Sequence, residues 1–166
     1  SFSTDCTVEI AESCGAKVEK RYFDNYAAQR NAAFKSVSKD YTWVLMLDAD
    51  ERVSSGLEEE IKRIIAKESV ATLFRVRRKD HFMGKWLKYS SGYPTWFPRL
   101  FRNGEVMVSR EINEEYNTTG EVHDLQAHLL HFPFNKGLSW WFERHNRYSL
   151  MEANVLEEEF NQAIPW

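Results

Sequence analysis

A chain of 166 residues, 43% hydrophobic and 14% aromatic, is long enough to bury a core of its own and reads as one domain. Its 22 Lys and Arg stand against 25 Asp and Glu, and this balance, without a basic face, excludes binding driven by neutralising nucleic-acid phosphates. No apolar run approaches the roughly 20 residues that span a bilayer and the N-terminus lacks a basic-then-apolar leader, so the expected location is cytoplasmic.

From Ser3 to Gly15 the chain offers Ser, Thr and Asp as caps, apolar Val8, Ile10 and Ala11, and a terminating Gly, which predicts a short helix. Cys6 and Cys14 fall eight positions apart on it, roughly 12 Å along the axis, too far for a disulfide and expected as reduced thiols. "AKVEKRYF" then predicts a brief strand. Tyr26, Arg30, Ala33, Phe34 and Val37 recur at helical spacing, giving a helix from Tyr26 to about Ser38. Trp43 to Leu47 is an apolar strand. "SSGLEEEIKRIIAKES" carries a Ser cap, early acids and an Ile/Leu face, the signature of a further helix, and "ATLFRVRRKDHF" alternates as a strand.

Helices and strands alternating over the first 80 residues predict an α/β fold of βαβ type with a mostly parallel sheet. Beyond Phe82, aromatic and Gly/Pro-containing segments suit a long loop and short antiparallel strands near Pro98–Phe101 and Val106–Ile112. "LQAHLLHFPF" adds a strand, and Leu138 onward predicts a C-terminal helix. Residues 1–82 are read as the α/β part, 83–136 as a substrate-shaping part of the same domain and 137–166 as the C-terminal helix.

In "WVLMLDADERV" an apolar strand runs directly into Asp48, Asp50 and Glu51. Ligands of open α/β sheets lie beyond the carboxyl ends of strands, which is where these acids fall. In an extended strand Asp48 and Asp50 point to opposite faces, so both approach one ion only if the chain turns after Leu47. An Asp-x-Asp so placed can hold Mg or Mn and, through it, diphosphate oxygens; the competing reading is a solvated loop that caps the next helix.

The segments "SFSTDCTVEIAESCGAKV", "NYAAQRNAAF", "WVLMLDADERV" and "RLFRNGEV", in this order and spacing, resemble glycosyltransferase family 2 with the GT-A fold, and within it the branch of lipopolysaccharide-core β-glucosyltransferases. The resemblance implies an inverting enzyme that moves a sugar from a nucleotide-diphosphate donor to an acceptor hydroxyl in surface-glycan synthesis. It implies that Asp48 and Asp50 are the metal and diphosphate motif and that Arg30 and Asn31 touch the donor, so that residues 1–82 are the donor and metal-binding part and 83–136 the acceptor side. Ordinary helix surface is the competing reading for the last two. Family members begin with strands upstream of Ser1, so the nucleobase part is expected to be absent here, and Cys6 stands where Gly is usual. A sheet without its first strands exposes edges and apolar surface, so self-association is expected.

Removal of the acceptor proton needs a carboxylate, for which Glu114, Glu115 and Asp124 are candidates. Glu114 is preferred because it matches the second member of a His-Glu pair in the resembling branch, Asn113 replacing the His. His131, in "LLHF", matches a late histidine that completes the metal shell in related enzymes; a hydrogen-bonded core histidine is the alternative. The remaining histidines lack zinc-site spacing. Tyr93 and Trp96 in "GYPTW" are candidate sugar-stacking faces, and Arg99, with Arg102, a candidate for an anionic acceptor or the donor phosphate. "LSWWFERHNRYSLM" mixes Trp and Arg in a way compatible with a membrane surface, but its acidic end favours packing on the domain. Two further readings remain open: a catalytically incompetent sugar-nucleotide-fold module used for binding or assembly, and a two-carboxylate glycoside hydrolase, which leaves the strand-end acids unexplained.

Overall fold

Three of the described helices start where the chain offers a side-chain oxygen to their orphan amide groups. In the computed structural model, which describes residues 2–89, 92–110 and 114–163 with the side chains of 158, 159 and 161–163 set aside, α1 is Thr7–Ser13 and Asp5 Oδ1 accepts from the Thr7 amide at 3.1 Å. Helix α2, Tyr26–Ser36, is capped by Asn25 Oδ1 on the Ala28 amide at 2.7 Å. Helix α3, Ser55–Ile65, starts at Ser54, whose Oγ accepts from the Leu57 amide at 3.3 Å and donates to the His128 carbonyl at 2.7 Å, so one hydroxyl caps the helix and ties it to the sheet. Helix α4 is Leu138–Ala163.

The strands are β1 Trp43–Leu45, β2 Glu51–Val53, β3 Ala71–Phe82, β4 Lys85–Trp86, β5 Trp96–Arg102, β6 Val106–Ser109, β7 Glu115–Thr118 and β8 Glu121–His131. The main sheet has the order β1-β5-β3-β8-β2 with β4 folded back on β3, and β6 and β7 form a separate antiparallel pair. The α/β class, the flanking helices, the short antiparallel region and the C-terminal helix stand as the sequence predicts. The proportion of pairings differs: β3 and β8 run parallel, whereas β1–β5, β3–β5 and β2–β8 are antiparallel. A parallel neighbour needs a crossover of a dozen or more residues, and β3, β4 and β5 instead follow one another through shorter returns.

The strand expected over residues 16–23 does not form; a strand needs a hydrogen-bonded neighbour, and none of the described strands runs beside it. Both cysteines are free and exposed, one at each end of α1. Ile112 and Asn113 lie outside the described residues.

One face of the sheet carries the core. Phe74 and Val76 of β3, Leu100 of β5, and Leu125 and Leu129 of β8 close around Leu57 of α3, with Trp43, Val53, Ile61 and Ile64 packed at the margin. On the other side Phe34 of α2 meets Phe101 edge-on at 5.1 Å, and Phe101 stacks on Tyr116 of β7 at 5.2 Å. Two irregularities are provided for. The β8 register shifts opposite Arg75–Arg77, and Glu60 of α3 accepts the Gln126 and Ala127 amides there, each at 2.8 Å. Gly120 comes so close to β3 that a Cβ would sit 2.2 Å from Thr72 Cγ2, leaving room only for glycine. No helix among the described residues is long and apolar enough to cross a membrane.

Candidate functional site

The acids after β1 lie on a tight turn. The Glu51 amide donates to the Asp48 carbonyl at 3.0 Å, closing four residues into a β-turn, and the chain then re-enters the sheet as β2. Because β2 pairs with the end of β8, Glu51 opposite His131, the turn is set beside that histidine, and the Phe132 amide donates to the Asp50 carbonyl at 2.9 Å. Pairing across strands distant in sequence thus brings Asp50 and His131 together.

Beneath the turn lies an ionic lattice. Arg99 Nε donates to Glu51 Oε2 and Arg99 Nη2 to Glu51 Oε1, both at 2.8 Å, with the Glu51 side chain fully buried. Arg99 Nη2 also reaches Asp48 Oδ2 at 2.8 Å, while Arg30 Nη2 from α2 reaches Asp48 Oδ1 at 2.6 Å. Glu51 Oε2 accepts the Asp48 amide at 3.1 Å, and Arg78, lying over the Phe97 ring at 3.6 Å, approaches Glu51 Oε1 at 3.5 Å. Burial opposes ionisation of Asp48, but Arg99 and Arg30 outweigh it and hold the carboxyl below its ordinary range. Buried charges survive here because each has an opposite partner with hydrogen bonds.

These groups border a cleft of about 940 Å³ between the turn, the end of β8 and helix α4. Arg30, Asp48, Asp50, Glu114 and His131 of the sequence-predicted set face it together. Arg30 Nε donates to Glu114 Oε1 at 3.4 Å, so one guanidinium links the aspartate turn to the candidate base, whose second carboxyl oxygen accepts from no described residue. Asn31, Tyr93, Trp96 and Arg99 do not line the cleft. The Asn31 amide is used in a two-way clamp on the Val108 backbone, at 2.8 and 3.0 Å, holding α2 to β6. Tyr93 packs edge-on against Trp86, Trp96 lies under Arg77, and Arg99 is 5% exposed within the ionic lattice.

Two groups that sequence reasoning passed over complete the geometry. Asp80, at the end of β3, pairs its Oδ1 with His131 Nδ1 at 2.8 Å, which leaves Nε2 directed to Asp50 Oδ2 at 3.5 Å. Burial lowers the basicity of His131, yet Asp50 and Asp80 together raise it above the ordinary histidine value. The bond from His131, against the opposing effect of burial, holds Asp50 below the usual carboxyl range. The other group is the α4 wall: Trp141 stacks on His145 at 3.8 Å, and Tyr148 shares a hydroxyl hydrogen bond of 2.8 Å with Tyr26 of α2, burial and that bond pushing Tyr26 up to about 12.

A divalent cation fits part of this set. Asp48 has both oxygens engaged by guanidinium groups, so it is a poor ligand in this arrangement. Asp50 Oδ2 and His131 Nε2 are separated by a distance that two ligands of one ion adopt, and the Asp80 partner orients the ring as carboxylates orient metal-bound imidazoles elsewhere. Among the described residues no group of three or more His, Cys, Asp or Glu side chains converges as a full shell.

Residues 1–109 match the model of the family described as Glycosyl transferase family 2. An uncharacterized glycosyltransferase of Rickettsia bellii is 44% identical over 69 residues, 42% of this chain and 23% of that protein. One of Rickettsia prowazekii is 25% identical over 169 residues, 95% of this chain and 57% of that protein. The lipopolysaccharide core biosynthesis glycosyltransferase LpsC of Rhizobium meliloti is 26% identical over 163 residues, 93% of this chain and 59% of that protein. The chain spans less than two thirds of the length of these relatives. Glu114, His131 and α4 fall beyond the family match.

Proposed function

The chain belongs to glycosyl transferase family 2, and from that premise we propose that it is an inverting glycosyltransferase that moves a sugar from a nucleotide diphosphate to an acceptor hydroxyl of a bacterial surface glycan. The name of the Rhizobium relative supports the glycan class. The observation that carries the reading is the convergence of Asp48, Asp50, Arg30, Glu114 and His131 on one cleft.

Glu114 is the base in this reading: the carboxyl oxygen that no described residue engages takes the acceptor proton as the acceptor oxygen forms its bond to the anomeric carbon and the bond from that carbon to the diphosphate breaks. Arg30 holds Glu114 in a fixed place relative to the Asp48 turn, so base and donor end are registered by one side chain. Asp50 and His131 are the residues that would hold Mg or Mn, which when bound supplies Lewis-acid charge neutralisation to the departing diphosphate. Asp80 keeps the His131 ring turned toward Asp50. Arg99 and Glu51 are positioning residues in this reading: they fix the turn from below.

The test is a screen of nucleotide sugars with Mg or Mn on the full-length protein, scored by nucleoside diphosphate release in the presence of acceptor glycan. Transfer by the wild type, lost in Glu114→Gln with donor affinity unchanged, supports the reading. Unchanged turnover in Glu114→Gln removes Glu114 as base, and no release from any donor sinks the enzyme itself.

A further inference from the structure

The face of the sheet turned away from the cleft carries charges that have no task in the scheme above. Arg78 and Asp80 of β3 are directed to Glu51 and His131, so the alternate residues Arg77 and Lys79 are directed to the opposite side. Directly opposite residues of paired strands share a face, and two rows result. Arg52, Leu130 and Lys79 lie side by side across β2, β8 and β3, and His128, Arg77 and Trp96 across β8, β3 and β5. Aromatic rings back these cations. The Arg77 guanidinium lies 5.1 Å from the Trp96 ring and Lys79 Nζ 4.4 Å from the Trp86 ring, while Lys88 Nζ stands 5.9 Å from Trp86 and 5.2 Å from Tyr89.

Among the described residues Arg52, Arg77, Lys79 and Lys88 enter no ion pair, whereas Arg75 is paired with Asp124 at 2.7 Å. From Arg75 to Lys88 the chain holds six Lys or Arg and a single acid, Asp80, which is spent on His131 on the cleft side, although the whole chain carries a net charge of −3. The positive charge is therefore local to this face. At its rim, the turn from β3 to β4 presents Met83 at 86% exposure, and Tyr89 just beyond β4 is 90% exposed.

These features select the partner. Like charges left unpaired on one face repel, attraction to a ring recovers only about 0.5–1 kcal/mol for each at exposed sites, and a negatively charged partner removes the repulsion. A small anion meets one or two of these groups. Cations spread over neighbouring strands, about 4.8 Å apart from strand to strand, match a planar array of anions instead. The exposed thioether and ring at the rim have no use for a purely polar anionic polymer, but they suit the boundary between lipid headgroups and acyl chains, with the lysine ammonium groups held at the level of the phosphates. We infer that Arg52, Arg77, Lys79 and Lys88, with Met83 and Tyr89 at the rim, form a docking surface for an anionic phospholipid bilayer. Because Lys79 and Asp80 are directed to opposite sides of β3, docking leaves the cleft that Asp80 borders uncovered. The inference does not depend on the glycosyltransferase reading.

The test is flotation of the full-length protein with vesicles of phosphatidylcholine, with or without phosphatidylglycerol. Wild type floats with the anionic vesicles, stays behind with the neutral ones, and is released by high salt. Lys79→Gln and Lys88→Gln each weaken the partition by about fivefold and together by about 25-fold, the loss expected for one and for two cations at an anionic surface. Met83→Ser weakens it by about threefold or more without changing its salt dependence. Circular dichroism and the urea midpoint stay at their wild-type values in all of these variants, which separates loss of the surface from loss of the fold. Equal binding to neutral vesicles, or anionic-vesicle binding unchanged in the double Gln variant, overturns the inference. Single-stranded RNA bound more tightly than the vesicles, and lost in the same double variant, overturns the choice of a bilayer.

Discussion

Arg99→Met is the sharpest probe of the lattice beneath the aspartate turn. The substitution removes two bonds of 2.8 Å to Glu51 and one of 2.8 Å to Asp48, and leaves the fully buried Glu51 with only the Asp48 amide and Arg78 at 3.5 Å. Breaking one partner of a buried pair costs about 3–5 kcal/mol, a large part of the roughly 5–15 kcal/mol that holds a domain together. With a urea dependence of about 2 kcal/mol per molar, the unfolding midpoint falls by roughly 2 M. The double variant Glu51→Leu/Arg99→Met removes both charges and returns to within about 1–2 kcal/mol of wild type, because replacing a buried pair by apolar groups is close to neutral. Donor binding does not return fully with it, since Asp48 has lost Arg99 and the Glu51 carboxylate beneath its amide and keeps only Arg30. Urea unfolding followed by circular dichroism reads the stability, and calorimetric titration with nucleoside diphosphate reads the site. An Arg99→Met midpoint close to wild type would show that Glu51 is not held by Arg99, and the account of the turn would fall.

Other expectations follow from the same contacts. Glu60→Ala leaves the Gln126 and Ala127 amides without their acceptor and, because water can reach the exposed Gln126, lowers stability by about 1–1.5 kcal/mol in urea unfolding, with nucleoside diphosphate affinity retained. Gly120→Ala drives a methyl group into Thr72 and costs about 1–3 kcal/mol, measurable as a lower melting temperature. Asp48 has a depressed carboxyl pKa in the folded state, so its contribution to stability is present above the ordinary carboxyl value and disappears as pH falls through the folded one. The stability gap between wild type and Asp48→Asn therefore closes below about pH 4 in urea titrations run at stepped pH. A gap that stayed constant from neutral pH to acid would mean the carboxylate is not held by Arg30 and Arg99.

The parts of the fold that periodicity encodes were legible. The Ile/Leu face of α3 and the long α4 pattern have enough length to show their period, and β3 alternates over Phe74, Arg75, Val76 and Arg77. Strands β2 and β7 are three and four residues long and draw their existence from partners far along the chain, so "ERV" reads as the tail of an acidic turn and "EYNT" as loop. The acids of the turn were legible because charge at the end of an apolar strand demands an explanation. What the pattern concealed is that Arg99, flanked by Pro98 and Leu100 in β5, faces inward to Glu51 and not outward to a ligand. Its neighbours Leu100 and Phe101 are fully buried, and that was the available hint. On α4, the four-residue steps from Trp141 to His145 and from Arg144 to Tyr148 carry the cleft wall, but such steps also describe a helix that merely packs.

The most direct test is calorimetric titration of uridine and guanosine diphosphates with and without Mn, in the full-length protein and in its Asp50→Ala variant. The account predicts that one nucleotide binds wild type with an affinity that rises when Mn is present, and that Asp50→Ala abolishes the rise while keeping its fold by circular dichroism. Binding that is indifferent to Mn, or a metal effect that survives the loss of Asp50, would contradict it.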